Sequence, residues 1–194
     1  MEYNNPLIFN EIGPRQASRA PEGGLNVQFK VGDKVVYPNH GVGVIEQIMS
    51  ASSSGVDNMF YRLRILSNDS TVLVPTTNTT QVGLRKVLSR KDVDKVFKVL
   101  RTGKIEITND WKGRFQENSD KMRTGDIFEV ALVLKNLTYL SKSKNLSYRE
   151  RKMLDKSKYL IVSEIAEVAN LPEDQIEAKV DKAVSVSTKG ATEH

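Results

Sequence analysis

Residues 82–100 read VGLRKVLSRKDVDKVFKVL, and within them the chain changes its hydrophobic period. Up to Leu88 the apolar residues fall as they do in short strands. From Ser89 onward Val93, Val96, Phe97 and Leu100 recur at i, i+3, i+4 and i+7, which is one face of an α-helix. Ser89 followed three residues later by Asp92 resembles a helix-capping arrangement. The stretch therefore predicts a β unit ending near Leu88 and a helical unit starting at Ser89.

Upstream, DKVVYP predicts a strand ended by Pro38, NHG a tight turn, and VGVIEQI a strand whose glycines suit a bend or bulge. SASSSGVDN reads as a loop. MFYRLRIL puts Phe60, Arg62 and Arg64 on one face and Tyr61, Leu63 and Ile65 on the other, the period of a half-buried strand. STVLVP and VGLRKVL supply two more strands. Five short strands in this span predict a Tudor- or SH3-like β-barrel. Residues 1–28 hold Pro6, Pro14, Pro21 and the Gly23-Gly24 pair without a sustained period, and read as a flexible leader.

Downstream, one helix is expected to start at Thr108 or Asn109 and to carry Trp111, Phe115 and Met122. Thr124 is placed to cap the next, with Ile127, Val130, Ala131, Leu134 and Leu137 on one stripe. Ser147 and Glu150 form a capping box for a fourth, and Pro172 at an N1 position opens a last helix through about Val184. The fold class is thus α+β: a five-stranded barrel, then an all-helical bundle of about five helices. The expected division is 1–28 leader, 29–88 barrel, 89–186 helices and 187–194 flexible tail.

The 194 residues carry a net charge of +5, distributed unevenly. Phe29–Leu88 holds six Lys/Arg against four Asp/Glu; Ser89–Val168 holds eighteen against twelve. A positive excess of this size hints at a polyanionic partner. Cysteine is absent, so disulfides and thiolate metal sites are excluded. His40 and His194 are the only histidines, which leaves neither a zinc set nor a nucleophile–histidine triad supported. No catalytic residue, metal, cofactor or small-molecule substrate is assigned, and the chain reads as a non-enzyme. No apolar run approaches a membrane span and no basic–apolar signal opens the chain, so a cytoplasmic protein is expected.

Two features admit both a structural and a binding reading. Arg62 and Arg64 suit an ordinary solvated face or an edge-strand dock. Trp111, the sole tryptophan, sits in TNDWKGRF among polar residues. It suits a core anchor or an aromatic wedge whose cationic neighbours hold phosphates. Basic residues of SYRERKMLDKSKYL could add non-specific phosphate contacts.

FKVGDKVVYPNHGVGVIEQI, YRLRIL, VLVP, VGLRKV, DKVFKVLR, TGDIFEVALVLKNL and LSYRERKMLDKSKYLIVSEIA, in this order, resemble the CarD/CdnL family of bacterial transcription regulators, in particular its small, free-standing CdnL type. The resemblance implies that the barrel binds the β subunit of RNA polymerase at its β1 lobe or protrusion. It implies that the helices contact promoter DNA at the upstream edge of the −10 element, with the tryptophan wedged into the minor groove at the upstream fork and the open complex stabilised. Carried onto this sequence, Arg62, Arg64, Leu73 and Pro75 face polymerase, and Trp111, Lys112 and Arg114 face DNA. A monomer associated with the nucleoid through polymerase is expected. The alternative is a stand-alone nucleic-acid-binding module acting without polymerase. Leu73, Gly113 and Gln116 depart from residues found in some relatives, arginine in the first case and basic residues in the others.

Overall fold

A computed structural model describes residues 8–11, 28–53, 56–102, 105 and 110–190. These form six strands, β1 (Ile8–Glu11), β2 (Lys34–Tyr37), β3 (Gly41–Ser53), β4 (Val56–Ile65), β5 (Thr71–Pro75) and β6 (Arg85–Lys86), then five helices. The helices are α1 (Arg90–Arg101), α2 (Trp111–Arg123), α3 (Ile127–Ser143), α4 (Tyr148–Ala169) and α5 (Glu173–Gly190). Two compact units result. One comprises Met1–Val35 and Val42–Lys86; the other comprises Val36–Gly41 and Val87–His194.

The sheet runs β5-β4-β3-β2-β6, with β1 pairing β3. Alternation along β4 works as the sequence predicts: Tyr61, Leu63 and Ile65 are buried, with Val74 of β5 and Phe29. The Phe29 amide donates to the Tyr61 hydroxyl at 3.1 Å, which satisfies the one polar atom that this buried ring brings inside. Three expectations change. The serine-rich stretch read as a loop is mostly strand: β3 continues to Ser53 and pairs Val56, while Ile8–Glu11 pairs Met49–Ser52. Pairing supplies the stretch's backbone hydrogen bonds, and short polar side chains do not prevent it. It also gives four residues of the leader a strand conformation; apart from Gln28, the rest of the leader lies outside the described residues. The bulge falls between Ile45 and Gln47 rather than at a glycine. Gly43 serves a different purpose, since a Cβ there would lie 3.0 Å from the Arg64 carbonyl oxygen.

The helical unit encloses one core, including Val96, Leu100, Leu134, Leu137, Ile161, Ile165, Ile176 and Val180. Ser89 caps α1 by accepting the Asp92 amide, and Ser147 with Glu150 forms a complete capping box on α4, both as expected. Other boundaries shift. The α2 cap is Asp110, not Thr108 or Asn109; its carboxylate accepts the amides of both Lys112 and Gly113. The α3 cap is Asp126, not Thr124, which instead ends α2. Gly125 follows with φ 73°, a left-handed conformation that stops a helix, so the cap of the next passes to Asp126. Pro172 precedes α5 rather than lying in its first turn, and accepts the Ile176 amide at 3.3 Å. Residues 187–190, read as tail, belong to α5, because Thr188 is buried and receives a hydrogen bond from Lys142.

Candidate polymerase and nucleic-acid interfaces

On the sheet, β4 pairs β5 with Phe60 opposite Pro75, Arg62 opposite Leu73 and Arg64 opposite Thr71. The ladder therefore brings Arg62, Arg64, Leu73 and Pro75 onto one face, at the outer end of the strand order. Leu73 is 43% exposed, unusual for a leucine in a strand whose neighbours Val72 and Val74 are more covered. The arginines are held by the bulge in β3, where Glu46 is the extra residue. Arg64 Nε donates to Glu46 Oε1 at 2.6 Å and Nη1 to Asp69 at 2.9 Å. Arg62 Nη1 donates to Gln47 at 3.0 Å, with its Nε 3.8 Å from Glu46. Hydrogen bonds donated to the Glu46 and Asp69 carboxylates raise the Arg64 pKa further above its already high value. The cluster is half-exposed, so its ion pairs contribute little stability. Their effect is to hold the two guanidinium groups in place on the face.

At the N-terminus of α2, Trp111 is 39% exposed. Its indole Nε1 donates to Ser147 Oγ at 3.2 Å, and its ring stacks on Phe115 with centroids 6.1 Å apart. About two-fifths of this residue is thus open to solvent and the rest is covered by protein, so the two readings of this tryptophan are not exclusive. Lys112 is exposed beside it. Arg114 lies elsewhere than facing outward. Its Nε and Nη2 both donate to Glu150 Oε1, at 3.0 and 2.7 Å, and its side chain is only 11% exposed. Glu150 Oε2 meanwhile accepts from the Ser147 amide and hydroxyl. One carboxylate therefore closes the α4 cap, holds Arg114 and orients the serine that holds Trp111. Burial alone would push the Glu150 carboxyl up, but the hydrogen bonds from Arg114 and Ser147 outweigh it and keep it below its ordinary value.

Sequence reasoning recognised Ser147 and Glu150 only as a cap. Their second role depends on α2 meeting α4, which no local pattern announces. It likewise missed Phe115 as the backing of Trp111, although the i, i+4 spacing signals it. Among the described residues no His, Asp and Glu group could hold a metal ion, and no helix is long and apolar enough to cross a membrane.

The chain thus joins a Tudor-like sheet to a helical unit that carries a partly exposed tryptophan, and comparison with known proteins places this arrangement. Residues 29–88 match the family model CarD-like/TRCF RID domain, and residues 95–181 match CarD, C-terminal domain. A Bacillus subtilis (strain 168) protein, "Putative transcription factor YdeB", is 31% identical over 150 residues, covering 77% of this chain and 98% of its own. The chain belongs to the CarD/CdnL-type family of transcription factors.

Proposed function

We propose that this protein binds the RNA polymerase β subunit through its sheet and promoter DNA through its helices, and stabilises the open complex. In this reading residues 29–88 are the polymerase-binding domain and 89–186 the DNA-binding domain, in a monomer that works in the cytoplasm at the nucleoid. Arg62, Arg64, Leu73 and Pro75 offer a β subunit lobe an apolar centre flanked by fixed guanidinium groups, adjoining an outer strand available for backbone pairing.

The observation that carries the DNA reading is the half-exposed Trp111 ring, fixed by Ser147 and Phe115 instead of being swallowed by the core. A ring held at one edge and free at the other is pre-organised as a wedge for a minor-groove step at the upstream edge of the −10 element. Lys112 reaches the flanking phosphates. Arg114 acts at one remove, through Glu150 and Ser147, as a positioning residue. The Asp110 carboxylate next to the ring is taken up by two helix amides, which moderates its repulsion of phosphate. Unstacking a base step costs about a few kcal/mol. A wedge therefore binds opened DNA better than closed duplex, and that difference in affinity shifts the population toward the open complex.

The test is the lifetime of a promoter open complex after competitor challenge, with no added protein, wild type or Trp111→Ala. Wild type is expected to lengthen it and Trp111→Ala, folded by circular dichroism, is not. Tight binding to free DNA without any effect on polymerase would instead identify a stand-alone nucleic-acid-binding module.

A further inference from the structure

Beside the Trp111–Phe115 pair, a groove runs between α2 and α4. Its lining is mainly apolar at Phe115, Met122 and Met153, with Ser119 and Asn39 beside them. Its rim carries Arg123, Arg149, Lys152 and Lys156, and Tyr148 stands at its edge, 74% exposed. The volume of about 330 Å³ suits a single flat ring system. Three of the cations sit over aromatic rings: Arg149 lies 5.9 Å from the Phe115 centroid, Lys152 5.7 Å from Tyr148 and Lys156 4.9 Å from Tyr159. Among the described residues none of these three has a carboxylate partner; Arg123 alone has one, Asp120 at 3.4 Å. Such pairs leave the cations oriented but not neutralised. Partial burial also lowers the Lys156 pKa, a cost that an arriving anion would remove.

We propose that this groove receives one unpaired base of single-stranded DNA, stacked on the exposed ring of Tyr148 with its edge against Phe115, while the neighbouring phosphates lie on Lys152, Lys156 and Arg149. The combination of apolar floor, free aromatic face and unneutralised cationic rim fits a nucleotide and no neutral ligand. It fits a peptide poorly, because an acidic peptide would use the rim and leave the floor unfilled. The inference deepens the DNA-binding reading and rests on it. Phe115 belongs both to the backing of Trp111 and to the groove floor, so a base unstacked by the wedge would find its receptor immediately alongside. Duplex DNA offers no such base, so the groove adds selectivity for opened strands.

The experiment is fluorescence anisotropy at low salt with the full chain and two short labelled strands of equal length. One is an oligothymidylate and the other has the same backbone with abasic residues. Wild type is expected to bind the base-bearing strand about five-fold or more tightly, the low end of what one base–aromatic stack is worth. The preference should persist in Trp111→Ala and vanish in Tyr148→Ala, a substitution at an exposed position that leaves the fold intact. Lys152→Gln should weaken both strands alike. Equal affinity of wild type for the two strands, including failure to bind either, overturns the proposal. So does any other pattern across the Trp111 and Tyr148 variants; in particular, loss in Trp111→Ala with retention in Tyr148→Ala puts the base on the wedge itself. A base preference without any effect on open-complex lifetime would leave the groove standing and remove the promoter reading. A lengthened lifetime without base preference would do the reverse.

Discussion

Replacing Glu150 by glutamine should loosen three features at once, and Trp111 as the only tryptophan reports on them without a label. The carboxylate accepts two hydrogen bonds from Arg114 on one oxygen and two from Ser147 on the other, with its side chain 3% exposed. A glutamine keeps one carbonyl oxygen and presents an amide nitrogen to the other donors. Breaking a buried ion pair from one side costs roughly 3–5 kcal/mol. The Arg114 side chain keeps 11% exposure to water, so the lower end, about 3 kcal/mol, is expected here. With a urea dependence of roughly 1–3 kcal/mol per molar, the unfolding midpoint should fall by about 1–3 M. Urea titration followed by tryptophan emission reads the helical unit alone. The folded-state emission should also shift to the red, as the indole loses its fixed partner Ser147. The pH dependence has a definite sign. The folded pKa of Glu150 is depressed, so its contribution is complete above the unfolded value of about 4.3 and disappears as pH falls through the folded value. Wild type and Glu150→Gln should therefore draw together in stability as pH falls from the unfolded value toward the lower folded value, and coincide below it. A midpoint change under about 0.3 M at neutral pH, with an unaltered emission spectrum, would refute the idea that this carboxylate organises the site.

Other substitutions separate stability from binding. Leu73→Glu, on the exposed face of β5, should leave unfolding within about 0.5 kcal/mol of wild type while weakening binding to a polymerase β fragment about tenfold or more in a pull-down titration. Leu134→Ala, in the centre of the helical core, should cost about 3–4 kcal/mol by the same urea assay. Asn170 ends α4 with φ 54°; Asn170→Val should cost roughly 1–3 kcal/mol, whereas Asn170→Gly should change little.

Much of the architecture was legible along the chain because the signals are local. The alternation in MFYRLRIL needs only the two-residue period of a strand, and Ser89 and Ser147 announce helix starts by accepting hydrogen bonds from amides three residues away. Thr124 and Asp126 show the limit of such reasoning. Both residue types cap helices, and the left-handed Gly125 between them decides which helix each serves. The serine-rich stretch reads as a loop because β propensity is weak in serine; pairing with Ile8–Glu11 on one side and β4 on the other overrides it.

The candidate sites divide in the same way. Arg62, Arg64, Leu73 and Pro75 could be grouped from strand period and family resemblance, and the β4–β5 register places them together. Arg114 could not be placed from its neighbours in sequence, because its orientation is set by Glu150, which lies 36 residues away. By itself the sequence determined the order of β2 to β6 and of the five helices, the position of the switch at Ser89 and the identity of the aromatic at the head of α2. Tertiary structure alone decided that Trp111 is fixed at one edge and open at the other, that Arg114 points inward and that a cationic groove adjoins them. Secondary structure follows from contacts a few residues apart, whereas the surroundings of a side chain are set by whichever distant segment packs against it.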